Sequence, residues 1–248
     1  MNGMVLSGGG HRGAAHLGIL KALGERNIAI DVYSGSSAGS LVGALMAAGH
    51  SIDDALNLFK RSRLFSITNF ARNKAGFVNS DVFHKLLIEY FPANSFEALE
   101  KPLFVTASNL ITAKTKVFKS GELIPALLAS SAVPGVFTPV EVGGKLYTDG
   151  GILDNFPIKP LRNKDLNIYG SYVCPLKDMQ AVDFKRSFDV MNRALHLKMH
   201  SLSLNKFKEC RSIFMPMDLT SYHLFQSGQI DKIFEIGYNE AVSVLDNV

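Results

Sequence analysis

The stretch Gly35-Ser36-Ser37-Ala38-Gly39 constrains the fold more than any other part of this chain. A short β-branched and aromatic run, Val32-Tyr33, leads into it, and an apolar stretch with helical character (Leu41, Val42, Ala44, Leu45, Met46, Ala47) leads out. Strand, sharp turn and helix are the context in which a G-x-S-x-G match has mechanical meaning. The turn forces its central serine into a strained backbone geometry, so the flanking positions need little or no side chain, which Gly35 and Gly39 supply. The Ser37 hydroxyl then stands clear of the sheet above a helix N-terminus, whose partial positive charge favours an alkoxide or oxyanion. Serine is also a favoured N-cap, and taken alone the same residues read equally as a helix-capping turn.

A chain of 248 residues can bury one good core, so residues 1–248 are expected to form a single domain. Hydrophobic residues make up 47% and charged residues 19%, the balance of an ordered globular protein. The formal charge of +4 is too weak to imply nucleic acid and is compatible with anionic surfaces. Two cysteines, Cys174 and Cys210, make no disulfide framework, which points to a reducing, cytoplasmic setting. Met1 to Leu6 contain neither a basic n-region nor an adequate h-region. No apolar stretch approaches the ~20 residues of a membrane span, so membrane contact is expected to be peripheral.

Hydrophobic periodicity predicts strands over 3–7, 103–107, 116–118, 167–173 and 212–215, besides the one entering Ser37. Helices are predicted over 14–26, from the elbow to near Gly49, and over 53–59 with Ser51 as cap. Further helices are predicted over 81–91, 124–131, 184–210 and 230–245. Residues 139–142 and 145–148 flank Gly143-Gly144, a hairpin signal. Strands separated by helices predict an α/β sandwich with a largely parallel sheet, to which the hairpin adds an antiparallel element.

Gly8-Gly9-Gly10-His11-Arg12-Gly13 follows the first strand and opens a helix, so it fits the dinucleotide pattern G-x-G-x-x-G. That role wants an acid at the far end of the second strand, which here ends in Ser34-Gly35-Ser36; Asp31 stands at its beginning. An oxyanion hole is the better alternative, since consecutive glycines leave amide N–H groups free to meet one anionic oxygen at the sheet edge from which Ser37 emerges. Arg12 either fixes this loop or adds positive charge to it. For a base, an α/β-hydrolase order would nominate His196, His200 or His223, yet none ends a strand or lies in a glycine-rich loop. His196 and His200 are spaced for metal ligation, but no third ligand is evident. Asp149 ends a strand and precedes Gly150-Gly151, where backbone can close around a ligand. A partly desolvated carboxylate there can accept the serine proton directly, although in isolation the stretch is an ordinary turn.

Taken in order, the glycine loop, the Ser37 elbow and Asp149-Gly150-Gly151 resemble the patatin-like phospholipases. Ala129-Ser130-Ser131-Ala132-Val133-Pro134-Gly135-Val136-Phe137-Thr138-Pro139-Val140 is similar to that family's segment leading towards the aspartate. The resemblance covers residues 4 to about 160, and residues 160–248 carry no motif of it. It implies a three-layer α/β/α sandwich and hydrolysis of acyl esters in phospholipids or other acyl lipids. By its motifs Ser37 is the nucleophile, Asp149 the base, and Gly8, Gly9 and Gly10 the oxyanion loop, with Arg12 at its basic position. Gly13, Gly35, Gly39, Gly150 and Gly151 support these motifs. The same dyad would serve a soluble esterase, thioesterase or acyltransferase, and a nucleotide-binding protein using the glycine loop is the alternative outside enzymology. No metal or cofactor is required by any motif, and the oligomeric state is not legible.

Residues 60–78 combine five basic residues with Leu64, Phe65, Ile67, Phe70 and Phe77 and contain no acid. Such a segment either lays apolar groups into a lipid headgroup boundary or packs as a lid with its charges solvated. The helix over 184–208 also mixes basic and apolar residues, at a spacing suited to ordinary core packing.

Overall fold

Along the first strand, β1 (Asn2–Leu6), Met4 and Leu6 face one hydrophobic core while Val5 between them faces another. A strand buried on both faces belongs to the middle of a sheet covered on two sides. The computed structural model, which describes residues 1–62, 80–162, 165–224 and 228–247, shows that arrangement. After β1 come α1 (Ala14–Glu25), β2 (Val32–Ser36), α2 (Ala38–Ala47), α3 (Ile52–Arg61) and α4 (Ser80–Tyr90). Next are β3 (Leu103–Asn109), β4 (Lys114–Phe118), α5 (Leu123–Ser130), β5 (Val140–Val142), β6 (Lys145–Asp149) and α6 (Gly151–Asp154). The chain closes with β7 (Asn167–Ser171), α7 (Ser187–Phe207), β8 (Ser212–Phe214) and α8 (Ile230–Asp246).

Hydrogen bonding connects the strands in the order β5-β6-β3-β2-β1-β7-β8, with β4 also on β3. Strands β3, β2, β1, β7 and β8 are mutually parallel, and β4, β5 and β6 add antiparallel pairs. The larger core joins Met4, Leu6 and Tyr33 to α1, α2, α3 and α8. On the opposite face Val5, Val32 and Ile168 meet Phe156, Tyr172 and, from α7, Phe207. The molecule is thus an α/β/α sandwich around a mostly parallel sheet, as expected.

Local signals explain most element ends. Ser51 caps α3 in a capping box, accepting from the Asp54 amide at 3.1 Å. The hairpin turns at Gly143 and Gly144, both in the left-handed region at φ 56° and 68°. Strand β3 runs on to Asn109 because β4 and β6 both pair with its end, a tertiary effect that local pattern does not carry. The helix expected over 184–210 forms from Ser187 to Phe207, but its outward side is not core. Val190, Met191, Leu197 and Leu204 are 55%, 62%, 47% and 49% exposed, which corrects the expectation of ordinary packing. Of residues 60–78, those from 63 to 78 lie outside the described residues. Among the described residues no helix is long and apolar enough to cross a membrane.

Candidate active site

Sheet register brings the serine and the aspartate together. β3 pairs with β2 through Thr106, opposite Ser36, and with β6 through Ala107, opposite Asp149. Strand β4 overlaps both of these pairings, so it occupies the other edge of β3. β2 and β6 therefore share one edge end to end, β2 finishing at Ser36 and β6 finishing against it at Asp149. The chain can turn away there only through a residue without a side chain. A Cβ on Gly150 would stand 2.1 Å from the Thr106 carbonyl oxygen and 2.5 Å from Ser36 Oγ.

Ser37 follows β2 at φ 50° and ψ −126°. That backbone is strained for a non-glycine residue, by about 1–3 kcal/mol, and is held by its surroundings. The Ser37 amide donates to Ser130 Oγ at 2.9 Å, and the Ser130 hydroxyl donates in turn to the Thr106 carbonyl at 2.7 Å. The elbow lies close on β1, where a Cβ on Gly39 would come within 2.3 Å of the Leu6 carbonyl oxygen. Although Ser37 occupies the N-cap position of α2, its hydroxyl makes no capping hydrogen bond. The helix-capping alternative does not describe this side chain.

Asp149 is buried, at 5% exposure. Its amide donates to the Ala132 carbonyl at 3.0 Å, and the Gly150 amide donates to the Ser130 carbonyl at 3.2 Å. The turn after α5 thus grips both the elbow and the end of β6. Asp149 Oδ1 accepts from the Gly151 amide at 2.7 Å, while Oδ2 has no closed hydrogen bond. Burial pushes the carboxyl up to about 6; the nearby Ser37 hydroxyl and the Gly151 amide partly offset this by favouring the charged form.

Within the glycine loop the amides have different partners. Gly8 N–H donates to the Asn155 carbonyl at 3.3 Å and His11 N–H to the Leu224 carbonyl at 2.8 Å. Among the described residues the Gly9 and Gly10 amides meet no protein acceptor. Gly10 sits at φ 55° against the Leu224 carbonyl, and a Cβ on Gly8 would stand 3.1 Å from Ser37 Cβ. Arg12 donates through Nε and Nη2 to the Tyr222 carbonyl at 2.9 and 2.6 Å. These contacts tie the loop to the segment that precedes α8.

Gly8, Gly9, Gly10, Ser37, Asp149 and Asn155 line one cavity of about 60 Å³, closed by apolar side chains that include Val133, Ile152 and Met199. Asn155 is 1% exposed, and among the described residues its carboxamide atoms make no closed hydrogen bond. It lies six residues past Asp149, in a stretch the sequence motifs pass over. Residues beyond 160 also contribute, since Asn192, Leu195, His196 and Met199 place one face of α7 on the cavity. Lys206 ties this helix down, its ammonium meeting Asp154 Oδ1 at 2.5 Å and the Phe156 carbonyl at 3.1 Å. His16, by contrast, is buried between Ser171 Oγ at 2.6 Å and the Ser7 carbonyl at 2.8 Å, as a core residue. His196 lines the cavity with its pKa lowered to about 4, mainly by burial.

Residues 4–162 match the family described as patatin-like phospholipase. An uncharacterized NTE family protein of Mycobacterium tuberculosis is 35% identical over 187 residues, covering 71% of this chain and 51% of its own. A protein named lysophospholipase NTE1 from Mycosarcoma maydis is 26% identical over 280 residues, covering 98% of this chain and 15% of its own. The chain therefore spans about half the length of the mycobacterial relative and a small part of the fungal one. In fold it is similar to VipD from Legionella pneumophila, with a TM-score of 0.63 at 16% identity over 99% of this chain and 67% of VipD. The type III effector protein ExoU gives 0.52 at 16% identity, over 99% of this chain and 52% of ExoU.

Proposed function

The chain belongs to the patatin-like phospholipase family, and from that premise we propose that it is a lipid acyl hydrolase of phospholipase A or lysophospholipase type, with Ser37 as nucleophile and Asp149 as its base. One observation carries this: a serine of strained backbone, its hydroxyl free of capping duty, lines one cavity with a buried carboxylate whose pKa is raised to about 6. A carboxylate so placed is a competent base near neutral pH.

In the proposed reaction Asp149 takes the Ser37 proton as Oγ attacks the ester carbonyl carbon. The carbonyl oxygen becomes an oxyanion and meets the Gly9 and Gly10 amides. Collapse breaks the bond to the alcohol, which leaves with the proton from Asp149, and an acyl-enzyme remains. Water then gives its proton to Asp149 and attacks the acyl carbon, and Ser37 departs with that proton as the fatty acid is released. The α2 N-terminus beneath Ser37 and the two amides lower the energy of both tetrahedral states.

Access from a lipid surface belongs to the same proposal. α7 lines the cavity with one face and exposes Val190 and Leu197 on the other, beside the exposed Lys185, Arg186 and Lys198. Apolar groups flanked by cations suit an anionic bilayer surface. Residues 60–78 are the second candidate for this contact. The enzymatic assignment is tested by a fluorophosphonate probe followed by peptide mapping. Covalent tagging of Ser37 is expected; an untagged Ser37 in folded protein would support a binding protein instead.

A further inference from the structure

A second cavity, of about 410 Å³, adjoins the first and shares Cys174, Asn192, His196 and Met199 with it. Its lining is cationic where its neighbour's is apolar. Arg12, Lys177 and Arg193 line it together with the imidazoles of His196 and His223. Asp183 and Asp189 line it too, leaving one more cation than carboxylate, and backbone amides hold one oxygen of each acid. Asp183 Oδ2 accepts from the Gln180 amide at 2.9 Å, and Asp189 Oδ2 from the Lys185 and Arg186 amides at 3.1 and 2.8 Å. Among the described residues neither acid forms an ion pair with Arg12, Lys177 or Arg193. Among the described residues the two guanidinium groups donate only to carbonyl oxygens, Arg12 to that of Tyr222 and Arg193 to that of Lys177 at 2.9 Å. Their field is felt at His196, where Arg12 and Arg193 add to burial in disfavouring the imidazolium. Half-buried guanidinium groups that close no direct ion pair have lost water without gaining a charged hydrogen-bond partner, a deficit that an incoming anion makes good.

We infer that this cavity receives the phosphodiester of a glycerophospholipid or lysophospholipid while the acyl ester lies at Ser37. In such lipids the phosphate stands one glycerol unit from the ester, and the two cavities adjoin through a common wall. Planar guanidinium forks match phosphate oxygens, and Lys177 at the exposed rim supplies a mobile third charge. The identity of the ligand rests on the acyl hydrolase assignment; the anion site stands on its own residues.

Two measurements on the full chain test it. In the first, a lysophospholipid and a monoacylglycerol of the same acyl chain are hydrolysed by wild type, Lys177→Gln, Arg193→Gln and Arg193→Lys. The ratio of kcat/KM, phosphodiester over neutral ester, is expected to fall about 10-fold or more in Arg193→Gln, through KM. A smaller fall is expected in Lys177→Gln, whose exposed side chain makes no hydrogen bond or ion pair among the described residues, and partial retention in Arg193→Lys. The exposed control Lys116→Gln, on β4, is expected to keep the wild-type ratio. An unchanged ratio in both Gln variants overturns the inference. In the second, melting temperatures of Ser37→Ala are recorded with glycerophosphocholine, inorganic phosphate or glycerol. Stabilisation by glycerophosphocholine alone, lost in Ser37→Ala/Arg193→Gln, is expected. Equal stabilisation by inorganic phosphate makes this a free-anion site and overturns the headgroup assignment, and no stabilisation by either overturns the site. Stabilisation by glycerophosphocholine in a protein that hydrolyses neither ester keeps the site and refutes the acyl hydrolase assignment instead.

Discussion

Ser130 accepts the Ser37 amide on its hydroxyl at 2.9 Å, so a residue 93 positions downstream holds the proposed nucleophile in its strained backbone. Replacing Ser130 with Ala leaves that buried N–H without its partner, a loss of about 1–3 kcal/mol. Ser130→Ala is expected to lower stability by this amount in chemical denaturation. It is also expected to lower kcat about 10-fold or more as the elbow relaxes. Ser40→Ala, which removes only the 2.6 Å bond to the Ser37 carbonyl, is expected to affect kcat less.

The raised pKa of Asp149 ties activity and stability to pH in opposite directions. In the proposed reaction the base must be ionised, so kcat/KM is expected to rise with pH through about 6 rather than near the ordinary 3.8. Stability behaves the other way. Because the native carboxyl holds its proton to higher pH than the unfolded one, its contribution is intact below about 3.8 and is lost as pH rises through about 6. At about 1.4 kcal/mol per pH unit the loss is on the order of 3 kcal/mol. Asp149→Asn is therefore expected to melt higher than wild type at pH 8, with the difference vanishing near pH 4. The pH dependence of both melting temperatures checks this.

The glycine loop admits no side chain at Gly8, where a Cβ would stand 2.6 Å from Asn155 Oδ1 and 3.1 Å from Ser37 Cβ. Gly8→Ala is expected to displace the loop and lower turnover by about 10²–10³, the usual effect of losing an oxyanion donor. Gly24 near the end of α1 has nothing within 4 Å of the corresponding position. Gly24→Ala is expected to stabilise the fold by about 0.5–1 kcal/mol through helix propensity, with turnover unchanged. Steady-state kinetics and urea denaturation of the two variants separate local crowding from any general intolerance of added methyl groups.

Vesicle co-sedimentation tests the lipid-surface contact. Val190→Ser/Leu197→Ser is expected to bind anionic vesicles more weakly than wild type, and Phe65→Ser/Phe70→Ser tests residues 60–78 in the same way. Binding of the α7 variant equal to wild type would remove that helix from the contact.

The parts of this fold that were legible in the sequence are those written locally. The small residues around Ser37, the cap at Ser51 and the Gly143-Gly144 turn carry their geometry in their own side chains or in the lack of them. The convergence of Ser37 and Asp149 was legible only through the family's motifs, because it arises from β2 and β6 meeting end to end on β3, a pairing no local pattern encodes. Ser130 stood inside a recognised stretch, yet its hydrogen bond to Ser37 depends on where α5 docks. Asn155 and the cavity face of α7 carried no signal. A polar residue before Phe156 and an apolar helical spacing look the same whether they line a site or a core.

Hydrolysis of a lysophospholipid by purified wild type, Ser37→Ala and Asp149→Asn asks whether Ser37 and Asp149 together cleave an acyl ester. Fatty-acid release by wild type is expected, with a fall of at least about 10³-fold in each variant and both still folded. Release within a few-fold of wild type by either folded variant would contradict it.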